Sequence, residues 1–455
     1  MARNHLNKNR DLHLAEWYVD KTLEFNPNFV KALNYKGYIC WKTNRPKEAI
    51  PFYQKVLEEK PNHFNANGNL GEVYEELSNF EMAVEYYTRQ LNHAPNAYMY
   101  LSRGWSYAAL DEFEKSRRDY EKSIEMEPEN PHVYRDMALT YKYEEQEEKA
   151  IELLEKSIEL DTDNEMIWAY RDLAESYLRI GEDDKAIQTL EVCYEKFKEN
   201  RELHRLARAN MHKGCYEEAY RRYLQYAANG KNFRQDIIGK QGECLLMMGR
   251  VKETMQLISD SYDELIKGEG EAIDPSSVKW LQFIVELYSG MEDRAKETLK
   301  SYTKGYIKDG DGSGEDVILL QHLVALNYQK GNKIKVSRKN FEKVLKKLEE
   351  EMQGGATTKR REASRQCTFA VMEMGRENYD KALEWAEKAI CNRKCYTCDF
   401  CGECVDALFI KAVILETLGR EEEALAFYER AKTIDKTDIR YLKEYERLKA
   451  KLSKS

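Results

Sequence analysis

An all-α fold, a solenoid of stacked antiparallel helix pairs, is what this 455-residue sequence predicts, on three observations. A group of small and aromatic residues returns about every 34 positions. Between the returns, apolar residues recur three and four apart, the spacing of one helical face. Proline occurs only 8 times, and several of these stand where one copy gives way to the next. A long chain with such a period stacks repeats on one continuous core, because no single helix pair can bury its own apolar face.

The first clear copy is Gly37, Cys40, Ala49, Tyr53 and Pro61, and the second is Gly71, Tyr74, Ala83, Tyr87 and Pro95. Gly104, Tyr107, Ser116, Tyr120 and Pro128 form the third. Ala138, Tyr141, Ala150, Leu154 and Thr162 form the fourth, and Ala174, Tyr177, Gly181, Ala186 and Leu190 the fifth. Each copy predicts two amphipathic helices joined by a short polar turn, with the small residues setting a close approach and proline opening the connection onward. Ala207, Gly214, Ala219 and Tyr223 mark a sixth copy, and Gly242, Gly249, Thr254 and Ile258 a seventh. The register then drifts, with Gly290 and Ala295 marking one degenerate pair and Gly331 another. It returns at Tyr379, Ala382, Ala386 and Ala389 and again at Ala412, Gly419, Ala424, Tyr428 and Ala431. Ala15 and Pro27 fit a second helix that precedes the first full copy. Thr437 to Ser453 is charged and helical, as a solvating cap would be.

These motifs resemble the tetratricopeptide repeat, over nearly the whole chain and in about eleven copies. The resemblance implies a right-handed superhelix whose first helices line a concave, partner-binding face. The organisation expected is an N-terminal array at 1–262 of about seven repeats, degenerate helical repeats with long loops at 263–364, C-terminal pairs at 365–436, and a capping helix at 437–455. A carboxylate clamp for acidic chaperone tails is not completed on any three successive first helices, although Lys31 and Asn69 hold single compatible places.

On the expected concave face, helical spacing presents Tyr98 and Trp105, then Arg135, then Trp168 and Arg171, then Arg201, His204 and Arg208. An aromatic patch runs into a basic stripe, which predicts a protein partner or an acidic peptide held by forked hydrogen bonds and ring contacts. The competing expectation is that these cations pair with neighbouring acids such as Asp136 and Asp172 on a wet surface.

The sharpest chemical motif is Cys391, Cys395, Cys398, Cys401 and Cys404, five of the chain's 10 cysteines. It falls in an insertion of eight residues between the last two helix pairs. Thiolates three apart can turn onto one metal, so a structural zinc is the expected occupant. An iron-sulfur cluster is the alternative, although the last spacing and Val405 depart from the ferredoxin run. Metal-free redox thiols are the third reading.

With 72 Lys and Arg against 81 Asp and Glu, the formal charge of -9 counts against a nucleic-acid partner, and an RNA-binding repeat ranks last. No phosphate loop, zinc-protease motif or nucleophile triad is present, so the expectation is a non-enzymatic scaffold or adaptor. A redox or metal sensor built on the cysteine cluster is the alternative. No run of about 18 apolar residues suggests a membrane span, and the polar start lacks a signal-peptide core, so a cytoplasmic setting is expected.

Overall fold

The computed structural model describes residues 2–229, 237–267, 275–291, 293–295, 297–298, 366–367, 369–371, 373–374, 377–391, 405–436 and 438–454. All the regular structure among them is helical. A long helix α1 (Ala2–Phe25) is followed by pairs: α2 (Val30–Lys42) with α3 (Pro46–Glu59), α4 (Phe64–Glu76) with α5 (Phe80–His93), and α6 (Ala97–Ala109) with α7 (Phe113–Met126). Next come α8 (Pro131–Tyr143) with α9 (Glu147–Glu159), α10 (Ile167–Arg179) with α11 (Asp183–Phe197), and α12 (Asn200–Lys213) with α13 (Tyr216–Ala228). Then follow α14 (Ile237–Met247), α15 (Val251–Lys267) and α16 (Pro275–Tyr288). The last described helices are α17 (Tyr379–Cys391), α18 (Val405–Thr417), α19 (Glu421–Ile434) and α20 (Ile439–Leu452). The fold is an α-solenoid of stacked antiparallel pairs. The chain divides into two compact units, Met1–Leu173 and Ala174–Ser455.

One turn recurs inside the pairs. Its apex residue is left-handed at Asn44, Ser78, Asp111, Glu145 and Glu377, with φ between 58° and 62°, and at Gly181, Gly214, Gly249, Gly290 and Gly419. The residue after the apex donates its N–H back across the end of the first helix, as in Arg45 to Cys40 at 2.9 Å and Asn79 to Tyr74 at 2.8 Å. This satisfies a carbonyl that the helix end would otherwise leave open. A left-handed Ser or Glu costs about 1 kcal/mol, which the packing on either side of the turn offsets. The apex at Gly290, with Ala295 buried behind it, keeps the repeat turn within the stretch where the sequence register drifts.

Packing within a pair follows a large-to-small fit. Tyr53, Tyr87 and Tyr120, on second helices, are fully buried against glycines of the first. A Cβ at Gly37 would stand 2.8 Å from the Tyr53 ring, and one at Gly104 would stand 2.7 Å from the Tyr120 ring, inside van der Waals contact. In the next two pairs the same positions hold Ala138 and Leu154, then Ala174 and Leu190. Ala207 with Tyr223 and Ala412 with Tyr428 show that an alanine can also stand opposite a buried tyrosine.

In the second unit the closing helix α20 is more than a charged cap. Tyr441, Glu444 and Leu448 are buried, and Tyr441 and Leu448 join a core that includes Ile238 of α14 and Val278, Leu281 and Ile284 of α16. Tyr288 donates its hydroxyl to Glu444 Oε1 at 3.3 Å, and Tyr441 donates to Asp406 Oδ1 at 2.8 Å.

Candidate functional site

In the first unit the first helices form a row, α2 against α4, α4 against α6 and α6 against α8. Second helices pack behind it, and their buried tyrosines send hydroxyls forward. Tyr53 accepts from Asn69 Nδ2 at 3.1 Å, and Tyr87 donates to Glu75 Oε2 at 2.9 Å. The rear of the row is thus apolar and fixed, while its front is free to carry other chemistry.

The front is aromatic. Tyr35 is 59% exposed, Tyr98 54%, Trp105 40% and Trp168 53%, and Tyr38 and Tyr143 are exposed as well. Tyr38 and Trp105 each directly follow a packing glycine, so the repeat itself aims them to the same side. Trp105 is braced edge-on by Phe80 with ring centres 5.4 Å apart. Trp41 donates its indole N–H to Glu76 at 2.5 Å, with Lys42 Nζ 3.6 Å above its ring. Rings held in place lose little entropy on binding, which is why such surfaces serve as contact anchors.

Among the rings stand carboxylic acids that the fold partly dries. Burial pushes Glu75 up to about 7, opposed by the Tyr87 hydroxyl and reinforced by the negative charge of Glu72. Glu72 is raised by its own burial, with the Tyr98 hydroxyl opposing. Tyr98 is pushed up to about 12 by burial and by Glu72. Asp136 rises to about 6, again from burial, with Arg135 and His132 pulling it back. The row therefore sheds negative charge as pH falls through neutrality.

The cations are largely committed. Arg135 donates Nε to Asp172 Oδ2 at 2.9 Å and Nη1 to Asp136 Oδ1 at 3.3 Å. Lys142 reaches the Asp172 carbonyl oxygen at 3.4 Å. Arg171 is only 7% exposed, and its guanidinium carbon lies 4.6 Å from the centre of the Trp168 ring. Tyr98, Trp105, Arg135, Trp168 and Arg171 thus share the first unit, on α6, α8 and the start of α10.

Arg201, His204 and Arg208 lie on α12 in the second unit. Arg201 is exposed, His204 packs between Tyr223 and Tyr226 with ring centres 5.6 Å from each, and Arg208 is half-buried. Further along α12, His212 Nδ1 lies 2.7 Å from Asp183 Oδ1. Burial lowers the histidine, with the charges of Asp183, Lys436 and Asp435 bearing on it. Lys436 Nζ is 3.8 Å from Asp183 Oδ2, so the approach to α20 runs beside this end of the face.

Of the cysteine cluster, Cys391 is the last residue of α17, and Cys395, Cys398, Cys401 and Cys404 lie outside the described residues. Among the described residues no group of three His, Cys, Asp or Glu side chains could hold a metal ion. The rings at Tyr35, Tyr38 and Tyr143 and the acids at Glu72 and Glu75 are site features that sequence reasoning missed. The signal for Tyr38 and Glu72 was their place directly after Gly37 and Gly71.

The tetratricopeptide-repeat family matches at residues 30–63, 67–97, 97–130, 132–164, 168–200 and 370–439, bounds that follow the helix pairs. No curated protein matches the chain. Among solved structures, MamA is 24% identical, with 36% of this chain and 94% of that one covered and a TM-score of 0.34. PilF of Pseudomonas aeruginosa is 19% identical, with 44% and 90% covered and a TM-score of 0.38. YrrB, described as a tetratricopeptide-repeat protein with an unusual peptide-binding site, is 24% identical, with 35% and 83% covered and a TM-score of 0.32.

Proposed function

The chain is built of tetratricopeptide repeats, and from that premise we propose that it is a non-enzymatic scaffold whose first-helix row in residues 30–173 takes up a segment of a partner protein. The observation that carries this reading is the set of exposed rings at Tyr35, Tyr38, Tyr98, Trp105 and Trp168 on one side of that row, with Trp105 braced by Phe80. A solvated solenoid surface has no need of them. Bound chain would cover the rings and exchange contacts with Glu72, Glu75 and Glu76, so apolar side chains accompanied by Lys or Arg fit best. An acidic segment would have to draw Arg135 away from Asp172 and Asp136. Buried free thiols at Cys40 and Cys244 suit a reducing compartment, and we propose a cytoplasmic setting on that ground.

The test is selection of binding segments from a displayed peptide library against the full chain, followed by titration of the winners with Tyr98→Ala and Trp105→Ala. Each change should weaken binding at least about tenfold with helicity unchanged, as loss of a central aromatic anchor does. Winners that bind both variants as tightly as the parent would remove the row from consideration. Winners rich in Asp and Glu would restore the acidic-peptide reading.

We further propose that residues 392–404, which join α17 to α18, hold a structural zinc through four thiolates drawn from Cys391, Cys395, Cys398, Cys401 and Cys404. The support is the donor set and its spacing. It also rests on length, since thirteen residues make this connection where four suffice from α3 to α4. No helix among the described residues is long and apolar enough to cross a membrane.

A further inference from the structure

Helix α1 carries apolar residues on two opposite sides. At about 100° per residue, Leu12, Glu16, Val19, Asp20 and Leu23 share the side turned toward α2. There Lys36 Nζ meets Glu16 at 2.9 Å and Asp20 at 2.6 Å, and Arg45 reaches Glu16 at 2.7 Å. Leu14, Trp17, Tyr18, Lys21 and Phe25 share the other side. On it Leu14 is 57% exposed, Trp17 54%, Tyr18 60% and Phe25 92%, and Phe29 just beyond the helix is 43% exposed. A helix apolar on both sides is one that is covered on both sides.

The other pairs supply the control. The repeat aligns Leu14, Trp17, Lys21 and Phe25 with Glu48, Pro51, Lys55 and Glu59 of α3, and with Met82, Glu85, Arg89 and His93 of α5. In α7 the same places hold Lys115, Arg118, Lys122 and Met126. These outward positions are mostly charged, so the fold itself does not call for Leu, Trp and Phe there.

What covers the patch can be argued from its size and charge. At about 150–250 Å² per large side chain, the exposed parts add to roughly 600 Å². That is the upper end for an isolated patch on a monomer. Taken twice, about a two-fold axis, it makes roughly 1,200 Å², where specific interfaces begin. The stripe is also self-complementary. With the axis between Val19 and Asp20 and the helices antiparallel, Leu14 falls opposite Phe25, and Tyr18 opposite Lys21, an ammonium against a ring. Among the described side chains from Leu14 to Phe25, Lys21 on this side pairs with Glu24 at 2.7 Å, so this part of the stripe offers little net positive charge to an anionic lipid surface.

We propose that the protein forms an isologous dimer in which the outer faces of two α1 helices pack antiparallel, Leu14 of one copy against Phe25 of the other. The test is sedimentation velocity of the full chain across about 1–100 μM, with far-UV circular dichroism on every variant. The parent should pass from monomer to dimer. Trp17→Asp should weaken association at least about tenfold, whereas Lys55→Asp on α3 should leave it unchanged. Leu14→Lys and Phe25→Glu should each be monomeric alone and associate when mixed, because the register sets one against the other. A parent that stays monomeric overturns the proposal, as does a dimer indifferent to Trp17→Asp. A monomer that instead co-sediments with phosphatidylglycerol vesicles through Trp17 also overturns it, in favour of a lipid surface.

Discussion

Glu75 shows how a single residue ties packing to solution conditions. Its carboxyl stands at about 7 in the fold against an ordinary 4.5, because burial disfavours the charged form more than the Tyr87 hydroxyl favours it. The folded state therefore holds a proton that the unfolded chain releases between those values, so this group's contribution to stability falls as pH rises from about 4.5 through 7. Asp136 acts in the same direction between 3.8 and about 6. Glu75→Gln keeps an amide oxygen to accept from Tyr87 and cannot ionise. Thermal melts should show the variant more stable by about 2 °C at pH 8, with the difference vanishing by pH 4.5. An equal difference at both values would separate Glu75 from the effect.

Gly37 and Tyr53 make a second test at this scale. Gly37→Ala should destabilise the first unit by about 1–3 kcal/mol in urea melts, since a methyl enters the space of the Tyr53 ring. Adding Tyr53→Leu should recover at least half of that loss, reproducing the Ala and Leu combination of the fourth and fifth pairs. A double variant whose loss equals the sum of the two single losses would show that the ring and the glycine are not coupled.

At the scale of elements, the pairs from α2 to α11 were legible in the sequence because each is a local event. Aromatic and small residues sixteen apart meet within one hairpin, as Gly37 and Tyr53 do, and no distant residue is needed to place them. The turns were less legible. The apex is glycine in later pairs except at Glu377, but Asn44, Ser78, Asp111 and Glu145 fill it in the first four, so helix packing imposes the left-handed residue there. The connection between α17 and α18 makes a prediction of its own. Elemental analysis of protein purified without oxygen should find about one zinc per chain and no visible absorbance, and removal by chelator should speed hydrogen exchange in α18. Iron with visible absorbance would make the loop a cluster site, and no metal at all would leave thiols.

At the scale of the molecule, the candidate site was half legible. Tyr98, Trp105 and Trp168 are exposed on the row where spacing put them. Pairing of the arginines with Asp136 and Asp172 was in the sequence as the competing expectation, and Arg135 meets both, whereas the place of a guanidinium against a ring was not legible. Arg135 finds Asp172, 37 residues away, and Arg171 folds under Trp168. The burial of α20 was also beyond a repeat-by-repeat reading. Thr437 to Ser453 reads as a charged cap when taken alone, yet Tyr441, Glu444 and Leu448 are covered by helices from distant parts of the second unit.

That long reach bears on how the chain comes to be made. Contacts in the first unit join neighbouring helices, so its pairs can form one after another as they leave the ribosome. Tyr288 and Glu444 are 156 residues apart, so their bond, and the part of this core that α20 supplies, can form only after α20 has been synthesised. The second unit thus spends much of its synthesis as an incomplete core, the state in which chaperones bind and proteases cut.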